Sequence, residues 1–565
     1  MAKVISIGNQ SFESIREKDN FYIDKTNFIR EWWDNDDTVT LITRPRRFGK
    51  TLNMSMLECF FSNKYKDRGD LFEGLEIWND EKYRKLQGTY PVIFLSFAEI
   101  KQNNYNDAVE KIKRIVCEVC QQFEFLKNWD GLTEIEKKNI SNISYNMSDV
   151  MAQDLIKNMS NYLSRYYGKK VIILLDEYDT PMQEAYVNGY WEELVAFTRS
   201  LFNSTFKTNP YLERAIMTGI TRVSKESIFS DLNNLKVITV TSDEYSKCFG
   251  FTEDEVFAAL DEQGLSSEKE KVKLWYDGFT FGDEKDVYNP WSIINFLDEK
   301  KYKTYWADSS SNGLVNELIR TGSAEIKKTM ETLIAGGTVE KNIDEQIVFE
   351  QLKTNKDAVW SLLLASGYLR VETFRTEGRL NKKIYSLKLT NYEVEQMFGT
   401  MIERWFGGAD VPYNEFINAM LNGDIESMNE YMNRVTRGVI SYFDTGKTPS
   451  DEEPERFYHG LVLGLMVEQV DNYILNSNRE SGYGRYDIML EPIDKTNEKY
   501  PGIVIEFKVI NPRKENTLEE TVAAALKQIE EKNYDAELVK RGVKEENIHH
   551  YGFAFRGKEV LIDGM

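Results

Sequence analysis

The stretch of the sequence best suited to bind phosphate is Arg44-Pro-Arg-Arg-Phe-Gly-Lys-Thr51, which follows an apolar run and opens a helical pattern. Backbone N–H groups at such a strand-to-helix turn can surround phosphate groups. The last three residues fit the pattern G-x-x-x-x-G-K-[ST], in which Lys50 reaches the β and γ phosphates of ATP and the Thr51 hydroxyl binds Mg²⁺. Arg44 replaces the first glycine of that pattern, so this stretch alone leaves a plain basic turn as an alternative.

Two further apolar runs end in polar residues that suit the same chemistry. The run Val171-Ile-Ile-Leu-Leu ends in Asp176 and Glu177, where the first acid can hold Mg²⁺ through water and the second can polarise an attacking water. Another run ends in Thr221 and Arg222, where a residue that senses the γ-phosphate is expected, although polar strand ends are common. The predicted nucleotide-binding residues are therefore Arg44, Arg46, Arg47, Phe48, Gly49, Lys50, Thr51, Asp176, Thr221 and Arg222, with Glu177 as the catalytic acid.

A second group of charged residues lies near the C-terminus. Asp487 precedes a turn-rich segment, and Glu506 and Lys508 follow that segment. Residues two apart share one face of a strand, so Glu506 and Lys508 are expected to point the same way. If the flanking strands pair, Asp487 and Glu506 can converge on one Mg²⁺ or Mn²⁺ ion, and Lys508 can position or stabilise a nucleophile for phosphodiester hydrolysis. An E-x-K tripeptide alone is also common on solvated strands.

These side chains need two separate α/β frameworks to position them. Short β-branched runs near 38–43, 91–96, 171–175 and 215–219 alternate with helical patterns near 106–126 and 149–167. This alternation predicts a domain with a mainly parallel sheet over residues 1–250. A helical region with a hairpin near 368–389 follows over 251–447, and it is either winged-helix-like or a helical lid. After the breaker-rich segment 448–454, residues 455–565 are predicted to contain a helix near 455–475, a hairpin near 485–509, a helix near 519–534 and a strand near 549–555.

Composition limits the classes of function. The chain has 565 residues, 71 Lys and Arg against 92 Asp and Glu, and a formal net charge of −21, which excludes a protein that coats nucleic acid non-specifically. Four cysteines are too few for a disulfide framework, and Cys117 and Cys120 lie in a helical pattern that favours plain helix cysteines over a zinc or redox site. The N-terminus lacks a signal-like segment and the apolar runs are too short to cross a membrane, so we expect a cytoplasmic protein with no membrane partner.

Over roughly residues 5–300 the chain resembles the AAA-ATPase-like proteins, whose loop takes the form R-P-R-R-F-G-K-[ST]. The landmarks that carry this resemblance are Phe21-Tyr-Ile-Asp-Lys-Thr26, Leu174-Leu-Asp-Glu-Tyr-Asp179, Met217-Thr-Gly-Ile-Thr-Arg-Val-Ser224, Trp275-Tyr-Asp-Gly-Phe279 and Tyr288-Asn-Pro-Trp291. The resemblance implies that Arg44 is a feature of the family. It does not tell rapid ATP turnover from use of ATP as a switch.

The C-terminal stretch, with Asp487 and the later Glu506-Phe-Lys508, resembles the PD-(D/E)XK nuclease-like domain that is commonly fused to this ATPase. The resemblance implies a helix acid or histidine in the metal shell, for which His459 is the candidate, while a packed helix role for His459 and the acid Glu468 are alternatives. It also implies that Gln528 contacts the phosphate backbone of the substrate. Lys532 and Tyr534 follow on the same helical pattern, where a solvated face is the alternative for Lys532.

Together these features predict an ATP-binding and ATP-hydrolysing protein with a metal-dependent nuclease-like domain that acts on nucleic acid, with DNA as the expected substrate. The cofactors are ATP and Mg²⁺, with Mn²⁺ as an alternative at the nuclease-like site, and homo-oligomerisation is left open. The alternative class is a nucleotide-gated signalling or scaffold protein whose nuclease-like domain binds a partner without cleaving it. The intact Asp487, Glu506 and Lys508 favour the enzyme, and the net charge of −21 favours the alternative.

Overall fold

The structure is a computed structural model in which the chain forms two compact units. Residues 1–310 and 340–393 form the first unit, and residues 311–339 and 394–565 form the second. The structure describes residues 3–221, 229, 232–307, 309, 315, 318–319, 324–334, 336–344, 358–378, 382–406, 414–439, 472–477, 480–481, 484–485, 487–497, 499–510, 515–556 and 559–564.

A five-stranded parallel sheet forms the centre of the first unit, in the order β2-β3-β4-β1-β5. Its strands are β1 (Val39–Thr43), β2 (Val92–Ser96), β3 (Val171–Asp176), β4 (Leu212–Gly219) and β5 (Leu235–Ile238). The first four match the apolar runs of the sequence, and they are almost fully buried because helices cover both faces of a parallel sheet. The short, half-buried β5 was not predicted.

The pairing aligns the strand ends that carry the candidate residues. Thr43 pairs with Gly219, and Ser96 pairs with Asp176, so the carboxyl ends of β1, β2, β3 and β4 meet at one edge. In open parallel sheets this edge is where ligands bind.

Helices of this region lie between the strands and after them. The α-helices are Phe12–Glu17, Asn27–Asn35, Lys50–Phe61, Glu81–Arg84, Tyr105–Gln121, Glu134–Ser141, Asp149–Tyr167, Thr180–Asn188 and Trp191–Phe202. The predicted helices near 106–126 and 149–167 correspond to the fifth and seventh of these. Cys117 and Cys120 are buried on the helix Tyr105–Gln121, and all four cysteines are free.

The middle region of the first unit combines helices with short antiparallel strands. Its helices are Glu253–Glu262, Lys269–Tyr276, Pro290–Glu299 and Ala358–Ala365, and its strands are β6 (Phe251–Thr252), β7 (Phe279–Phe281), β8 (Glu284–Tyr288), β9 (Val339–Lys341), β10 (Leu369–Glu377) and β11 (Lys382–Leu389). The hairpin of β10 and β11 lies where the sequence predicts it. The hairpin of β7 and β8 was not predicted.

A mixed five-stranded sheet forms the centre of the second unit, in the order β12-β15-β16-β17-β18. Its strands are β12 (Tyr473–Ser477), β15 (Ile488–Pro492), β16 (Gly502–Val509), β17 (Ile548–Arg556) and β18 (Glu559–Gly564), and a small ladder of β13 (Glu480–Ser481) and β14 (Gly484–Arg485) precedes β15. β16 and β17 run parallel because the helix Leu518–Lys532 connects them, whereas the other neighbours are antiparallel. Residues 473–475, which were included in a predicted helix, instead begin β12, in which Tyr473 and Asn476 are buried and Ile474 is exposed.

Helices cover both faces of this sheet. The helices Asn414–Asn422 and Ile425–Val439 pack against one face through a cluster that includes Phe416, Met432 and Phe507. The helices Leu518–Lys532 and Ala536–Lys540 cover the other face through a cluster that includes Val504 and Ile529. The other helices among the described residues of this unit are Ala324–Ile334 and Tyr392–Phe406, the latter beginning at the unit boundary. Within the described residues, no helix combines the length and the apolar character that a membrane crossing requires.

Candidate functional site

The loop between β1 and the helix Lys50–Phe61 has the geometry of a phosphate cradle. Gly49 caps the helix with a φ of 79°, a left-handed conformation that glycine adopts without the steric cost of a side chain. Lys50 is the first helical residue, and its Nζ donates to the carbonyl oxygens of Arg44 at 3.0 Å and Pro45 at 2.8 Å. Burial lowers the pKa of Lys50, and the neighbouring acids Glu177 and Asp176 oppose this shift. The ammonium group of Lys50 thus lies over the loop that precedes the helix, in contact with the carbonyl groups of residues 44 and 45.

Thr51 and Asp176 lie 125 positions apart in the chain and meet at this loop. The Thr51 hydroxyl donates to Asp176 Oδ2 at 2.7 Å. The Thr218 hydroxyl donates to Asp176 Oδ1, and Asp176 is fully buried, which raises its pKa. A buried carboxylate that receives hydrogen bonds from two neutral hydroxyls can accept a divalent cation. Thr51 and Asp176 therefore fit a Mg²⁺ ion.

Glu177 and Asp179 follow directly at the end of β3. Glu177 has a φ of 52°, which is strained for a residue with a side chain, and its Oε2 accepts a hydrogen bond from the Thr180 hydroxyl at 3.1 Å. Asp179 is buried and its Oδ2 accepts hydrogen bonds from the backbone and the hydroxyl of Thr221. Asp179 belongs to a landmark of the family resemblance, but the sequence did not predict it as a site residue. The available signal was a third acid within four residues of a strand end.

Arg44 is fully buried and its side chain points away from the loop. Nη1 donates to the carbonyl oxygens of Thr43 at 2.9 Å and Thr239 at 2.7 Å, and the guanidinium lies 4.6 Å from the centre of the Phe281 ring. Burial lowers the pKa of Arg44 to about 10. The side chain of Arg44 thus anchors the loop, and its backbone N–H and carbonyl groups are bonded to the Gly219 carbonyl oxygen and to Lys50 Nζ.

The remaining loop residues hold the loop against the middle region of the first unit. The exposed Arg47 lies over the Trp291 ring at 4.4 Å, and Phe48 is buried against Phe279. The carbonyl oxygen of Arg46 accepts hydrogen bonds from Asn289 Nδ2 at 3.3 Å and Trp306 Nε1 at 3.0 Å.

Asn289 also caps the helix Pro290–Glu299, since its Oδ1 accepts from the backbone N–H groups of Trp291 and Ser292. Asn289 and Trp306 are contacts that sequence reasoning missed. The only sequence signal for Asn289 was its place in the Tyr288-Asn-Pro-Trp291 landmark.

The second candidate site lies where β15 and β16 pair. Ile488 pairs with Ile505, so continuing the antiparallel register by one residue sets Asp487 opposite Glu506. Asp487 Oδ2 accepts a hydrogen bond from the backbone N–H of Phe507 at 2.8 Å. Glu506 is only 5% exposed. The two carboxylates are thus cross-strand neighbours on a rigid sheet.

Gln528 links Glu506 to Lys508 from the helix Leu518–Lys532. Its Oε1 accepts a hydrogen bond from Lys508 Nζ at 2.7 Å, and its Nε2 donates to Glu506 Oε1 and to the Tyr534 hydroxyl, the latter at 3.1 Å. Burial raises the pKa of Tyr534, and the charges of Glu506 and Asp487 raise it further. Phe507 points to the opposite face, as the alternation of a strand requires. Lys532 is exposed.

These residues fit a divalent cation, because Asp487 and Glu506 face each other as hard oxygen ligands and a neutral amide partners Glu506. Arg222 and His459, the remaining predicted site residues, lie outside the described residues, as does the alternative acid Glu468.

Glu253, Asp277 and Asp286 form a further acidic cluster in the middle region, with carboxylate oxygens within 4.8 Å of one another. Lys273 supplies positive charge to this cluster, since its Nζ is paired with Glu253 and lies 3.9 Å from Asp286 Oδ2. Asp277 is buried, and burial together with the charge of Asp286 raises its pKa to about 7.

Comparisons with known proteins match two regions of the chain to protein families. Residues 6–229 match the family described as "Predicted AAA-ATPase", and residues 453–564 match the PD-(D/E)XK nuclease superfamily. A protein of Azotobacter chroococcum mcd 1, described as an uncharacterized protein in the vnfD 5′ region, is 25% identical over 396 residues, which cover 70% of this chain and 68% of the relative. The two families support ATPase and nuclease-like activity in general. The chain therefore joins a domain of the predicted AAA-ATPase family to a C-terminal domain of the PD-(D/E)XK nuclease superfamily.

Proposed function

We propose that this protein binds and hydrolyses ATP at the β1 loop, with Mg²⁺ at Thr51 and Asp176. The observation that carries this proposal is the 2.7 Å hydrogen bond between Thr51 and Asp176, which joins two motifs that the sequence places far apart. Backbone N–H groups of residues 46–49 and the Lys50 ammonium would surround the phosphates. Glu177 orients and polarises the attacking water, and a bound Mg²⁺ neutralises charge on the β and γ phosphates.

We further propose that the C-terminal domain cleaves DNA with Mg²⁺ or Mn²⁺ held by Asp487 and Glu506. Asp487 and Glu506 would hold the ion, which would supply an activated water and charge neutralisation at the scissile phosphate. Lys508, held by Gln528, adds positive charge beside the nucleophile. The role of Gln528 itself is to hold Glu506 and Lys508 in register, and through them to meet the phosphate backbone.

The net charge of −21 bears on the choice of substrate. A strongly acidic surface repels most of a polyanion, so productive contact with DNA is confined to the site itself, and a particular DNA structure is preferred over random duplex. The four buried free cysteines suit a reducing compartment, and we place the protein in the cytoplasm.

The ATP site is tested with three proteins: the wild type, Lys50→Ala and Glu177→Gln. ATP should raise the melting temperature of the wild type and of Glu177→Gln, because a ligand that binds only the folded state stabilises it, and should not raise that of Lys50→Ala. Phosphate release should be lost in both variants. Unchanged ATP stabilisation in Lys50→Ala would contradict the pocket assignment, and wild-type turnover in Glu177→Gln would remove Glu177 from the mechanism.

The nuclease site is tested by incubating the wild type and Lys508→Ala with linear, nicked and branched DNA, with and without ATP and Mn²⁺. Cleavage by the wild type that Lys508→Ala lacks supports the enzyme. Binding of DNA without cleavage by either protein would instead favour the nucleotide-gated scaffold. RNA substrates of the same shape show whether DNA is the preferred nucleic acid.

A further inference from the structure

The carboxylate of Glu393 is fully buried in the first unit, at the beginning of the helix Tyr392–Phe406. Its Oε1 accepts hydrogen bonds from the backbone N–H groups of Trp306 at 2.6 Å and Ala307 at 3.3 Å. Its Oε2 accepts a hydrogen bond from the Ser292 hydroxyl at 2.8 Å. A single side chain therefore joins the segment of Trp306 to the helix that carries Ser292.

Both of these segments also hold the phosphate loop, through one carbonyl group. The indole Nε1 of Trp306 donates to the carbonyl oxygen of Arg46 at 3.0 Å. Asn289 Nδ2 donates to the same oxygen at 3.3 Å, and Asn289 Oδ1 accepts from the backbone N–H of Ser292 at 3.3 Å. Two separate paths thus connect the two oxygens of Glu393 to the Arg46 carbonyl group.

The position of Trp306 is fixed further by aromatic rings. Trp306 is 4% exposed, and its ring centroid lies 5.4 Å from that of Phe279 and 5.4 Å from that of Tyr368. Phe279 also packs against Phe48 of the loop. Because closely packed side chains leave little room for adjustment, a shift of the Trp306 backbone at Glu393 is expected to shift its indole at the loop.

The Arg46 carbonyl group sets the direction of a phosphate-binding group. The peptide bond between Arg46 and Arg47 is planar and trans, so its N–H points opposite to its carbonyl oxygen. The carbonyl oxygen faces Trp306 and Asn289, and the N–H of Arg47 is therefore directed to the opposite side of the loop. This N–H is one of the loop groups that the proposed function assigns to the phosphates.

Phosphate binding has to compete with hydrogen bonds inside the loop. Lys50 Nζ donates to the carbonyl oxygens of Arg44 and Pro45, and it must exchange them for phosphate oxygens. The next peptide group along the chain is the one held at Arg46. A carbonyl group with two donors keeps the Arg47 N–H aligned during this exchange, whereas a loose one has to be ordered by the ligand at a cost in affinity.

We propose that Glu393 is a positioning residue of the ATP site, which aligns the Arg47 N–H through the Arg46 carbonyl and makes ATP affinity depend on the first turn of the helix Tyr392–Phe406. This inference rests on the proposed ATP binding. Glu393 is the last residue of the first unit, so the dependence lies where the chain enters the second unit. Coupling between two sites is reciprocal, so ATP at the loop stabilises that first turn.

The residues that make this connection lie outside the matched ATPase region. Asn289, Ser292, Trp306 and Glu393 all follow residues 6–229, which match the ATPase family. The coupling is therefore a property of how this chain continues after its ATPase domain.

ATP binding in calorimetry tests the positioning role, with Glu393→Gln, Trp306→Phe and the combined variant. Glu393→Gln keeps the size of the side chain but cannot accept at both positions, and Trp306→Phe loses only the indole N–H. Each change should weaken ATP binding about threefold to tenfold and leave kcat at saturating ATP unchanged. The combined loss should be smaller than the product of the two single losses, because Trp306 lies on one path from Glu393.

Hydrogen exchange tests the reciprocal effect. ATP should slow amide exchange in the first turns of the helix Tyr392–Phe406 in the wild type. Trp306→Phe retains the backbone N–H that Glu393 accepts but lacks the donor to Arg46. In this variant ATP should leave exchange in the helix unchanged, whereas a purely structural role of Glu393 predicts no such difference.

The matched control is Glu136→Gln. Glu136 Oε2 accepts hydrogen bonds from the backbone N–H and the hydroxyl of Thr133 at 2.8 and 3.1 Å, so it also binds one backbone donor and one hydroxyl. Glu136→Gln should lower the melting temperature and leave ATP affinity unchanged.

Wild-type ATP affinity in both Glu393→Gln and Trp306→Phe would overturn the inference, as would losses that multiply in the combined variant. If Glu393→Gln does not fold, wild-type affinity in Trp306→Phe alone overturns it. An ATP effect on exchange in the helix that is equal in the wild type and Trp306→Phe would also overturn it. If the wild type does not bind ATP, the proposed function fails, whereas ATP binding that needs Lys50 but neither Glu393 nor Trp306 removes only the inference.

Discussion

Replacing Arg44 by glycine would restore the usual phosphate-loop pattern, yet we expect this change to destabilise the protein. The side chain is fully buried and its guanidinium donates to four carbonyl oxygens, at 2.7, 2.9, 3.4 and 3.4 Å. It also lies over the Phe281 ring at 4.6 Å. None of these partners is available to glycine.

The size of the effect follows from these contacts. The two shorter hydrogen bonds contribute about 1 kcal/mol each, the three methylenes about 0.8 kcal/mol each and the ring contact about 1 kcal/mol. Glycine adds a backbone cost of about 1 kcal/mol, so the total loss of unfolding free energy is about 6 kcal/mol. Removing the buried charge works in the opposite direction. Burial lowers the pKa of Arg44 from 12.5 to about 10, a penalty of about 3 kcal/mol that Arg44→Gly relieves. The packing and hydrogen-bond losses exceed this relief, so Arg44→Gly should lower the free energy of unfolding by about 3 kcal/mol.

The measurement is urea unfolding followed by tryptophan fluorescence, and the control is Arg47→Gly. Arg47 is exposed and has a φ of 64°, so glycine relieves about 1 kcal/mol of backbone strain and loses about the same from the Trp291 contact. Arg47→Gly should therefore unfold at the same urea concentration as the wild type. Arg44→Gly should unfold at a clearly lower urea concentration, and Arg44→Lys should unfold at a concentration between those two. The reasoning is wrong if Arg44→Gly is as stable as the wild type or binds ATP more tightly.

Three further predictions concern other charged groups. The pKa of Asp277 is about 7 in the folded protein and 3.8 in an unperturbed aspartate, so the unfolded state loses this proton at a lower pH than the folded state does. The free energy of unfolding should therefore fall as the pH rises from about 4 to 7, by on the order of 2 kcal/mol after solvent screening. Asp277→Asn should remove this fall in unfolding measured against pH, and an unchanged profile would exclude Asp277 as its cause. Asp487→Asn should keep the Phe507 contact through its amide oxygen but bind Mn²⁺ at least tenfold more weakly in calorimetry, and equal binding would refute the metal assignment. Gln528→Leu should lower nuclease activity far more than Lys532→Ala, because Gln528 contacts Glu506 and Lys508 whereas Lys532 is exposed on the same helix. Equal losses in the two variants would count against Gln528 as the link between Glu506 and Lys508.

The sequence was most informative where periodicity and burial coincide. The four buried strands β1 to β4 and the helices after them follow from runs of apolar residues, because a parallel sheet covered on both faces needs continuous apolar strands. β5 and the hairpin of β7 and β8 escaped prediction because they are short and half-exposed, and their pairing depends on partners far away in the chain. Residues 473–475 were assigned to a helix because a short apolar run does not distinguish helix from strand.

Sequence spacing predicted which residues lie close together. It was less informative about the direction and the contacts of each side chain. The Thr51 and Asp176 pair could be foreseen from two motifs, and the shared direction of Glu506 and Lys508 follows from strand alternation. The inward direction of Arg44 could not be foreseen, because it depends on carbonyl groups of residues 239–245. The contacts of Asn289 and Trp306 with the Arg46 carbonyl likewise join segments more than 200 residues apart.

A common feature of the two sites is how their lysines are held. Lys50 donates to the carbonyl oxygens of Arg44 and Pro45, and Lys508 donates to the amide oxygen of Gln528. By contrast, Lys25 is buried in a direct ion pair with Glu255, at 2.6 Å, where it joins the N-terminal segment to the middle region. A neutral acceptor fixes an ammonium group without neutralising its charge, whereas a carboxylate consumes that charge.

The acids of the two sites are treated in the same way. Asp176 receives hydroxyl groups, and Glu506 receives an amide N–H group, so neutral donors orient these carboxylates. A carboxylate or an ammonium group oriented by a neutral partner keeps its charge, so we expect a phosphate and a divalent cation to be attracted to it. The same reasoning separates these sites from the cluster of Asp277, whose neighbour Glu253 is already paired with Lys273. Among the contacts described above, the lysines of both candidate sites and the acids Asp176 and Glu506 meet neutral hydrogen-bond groups, whereas Lys25 and Lys273 meet carboxylates.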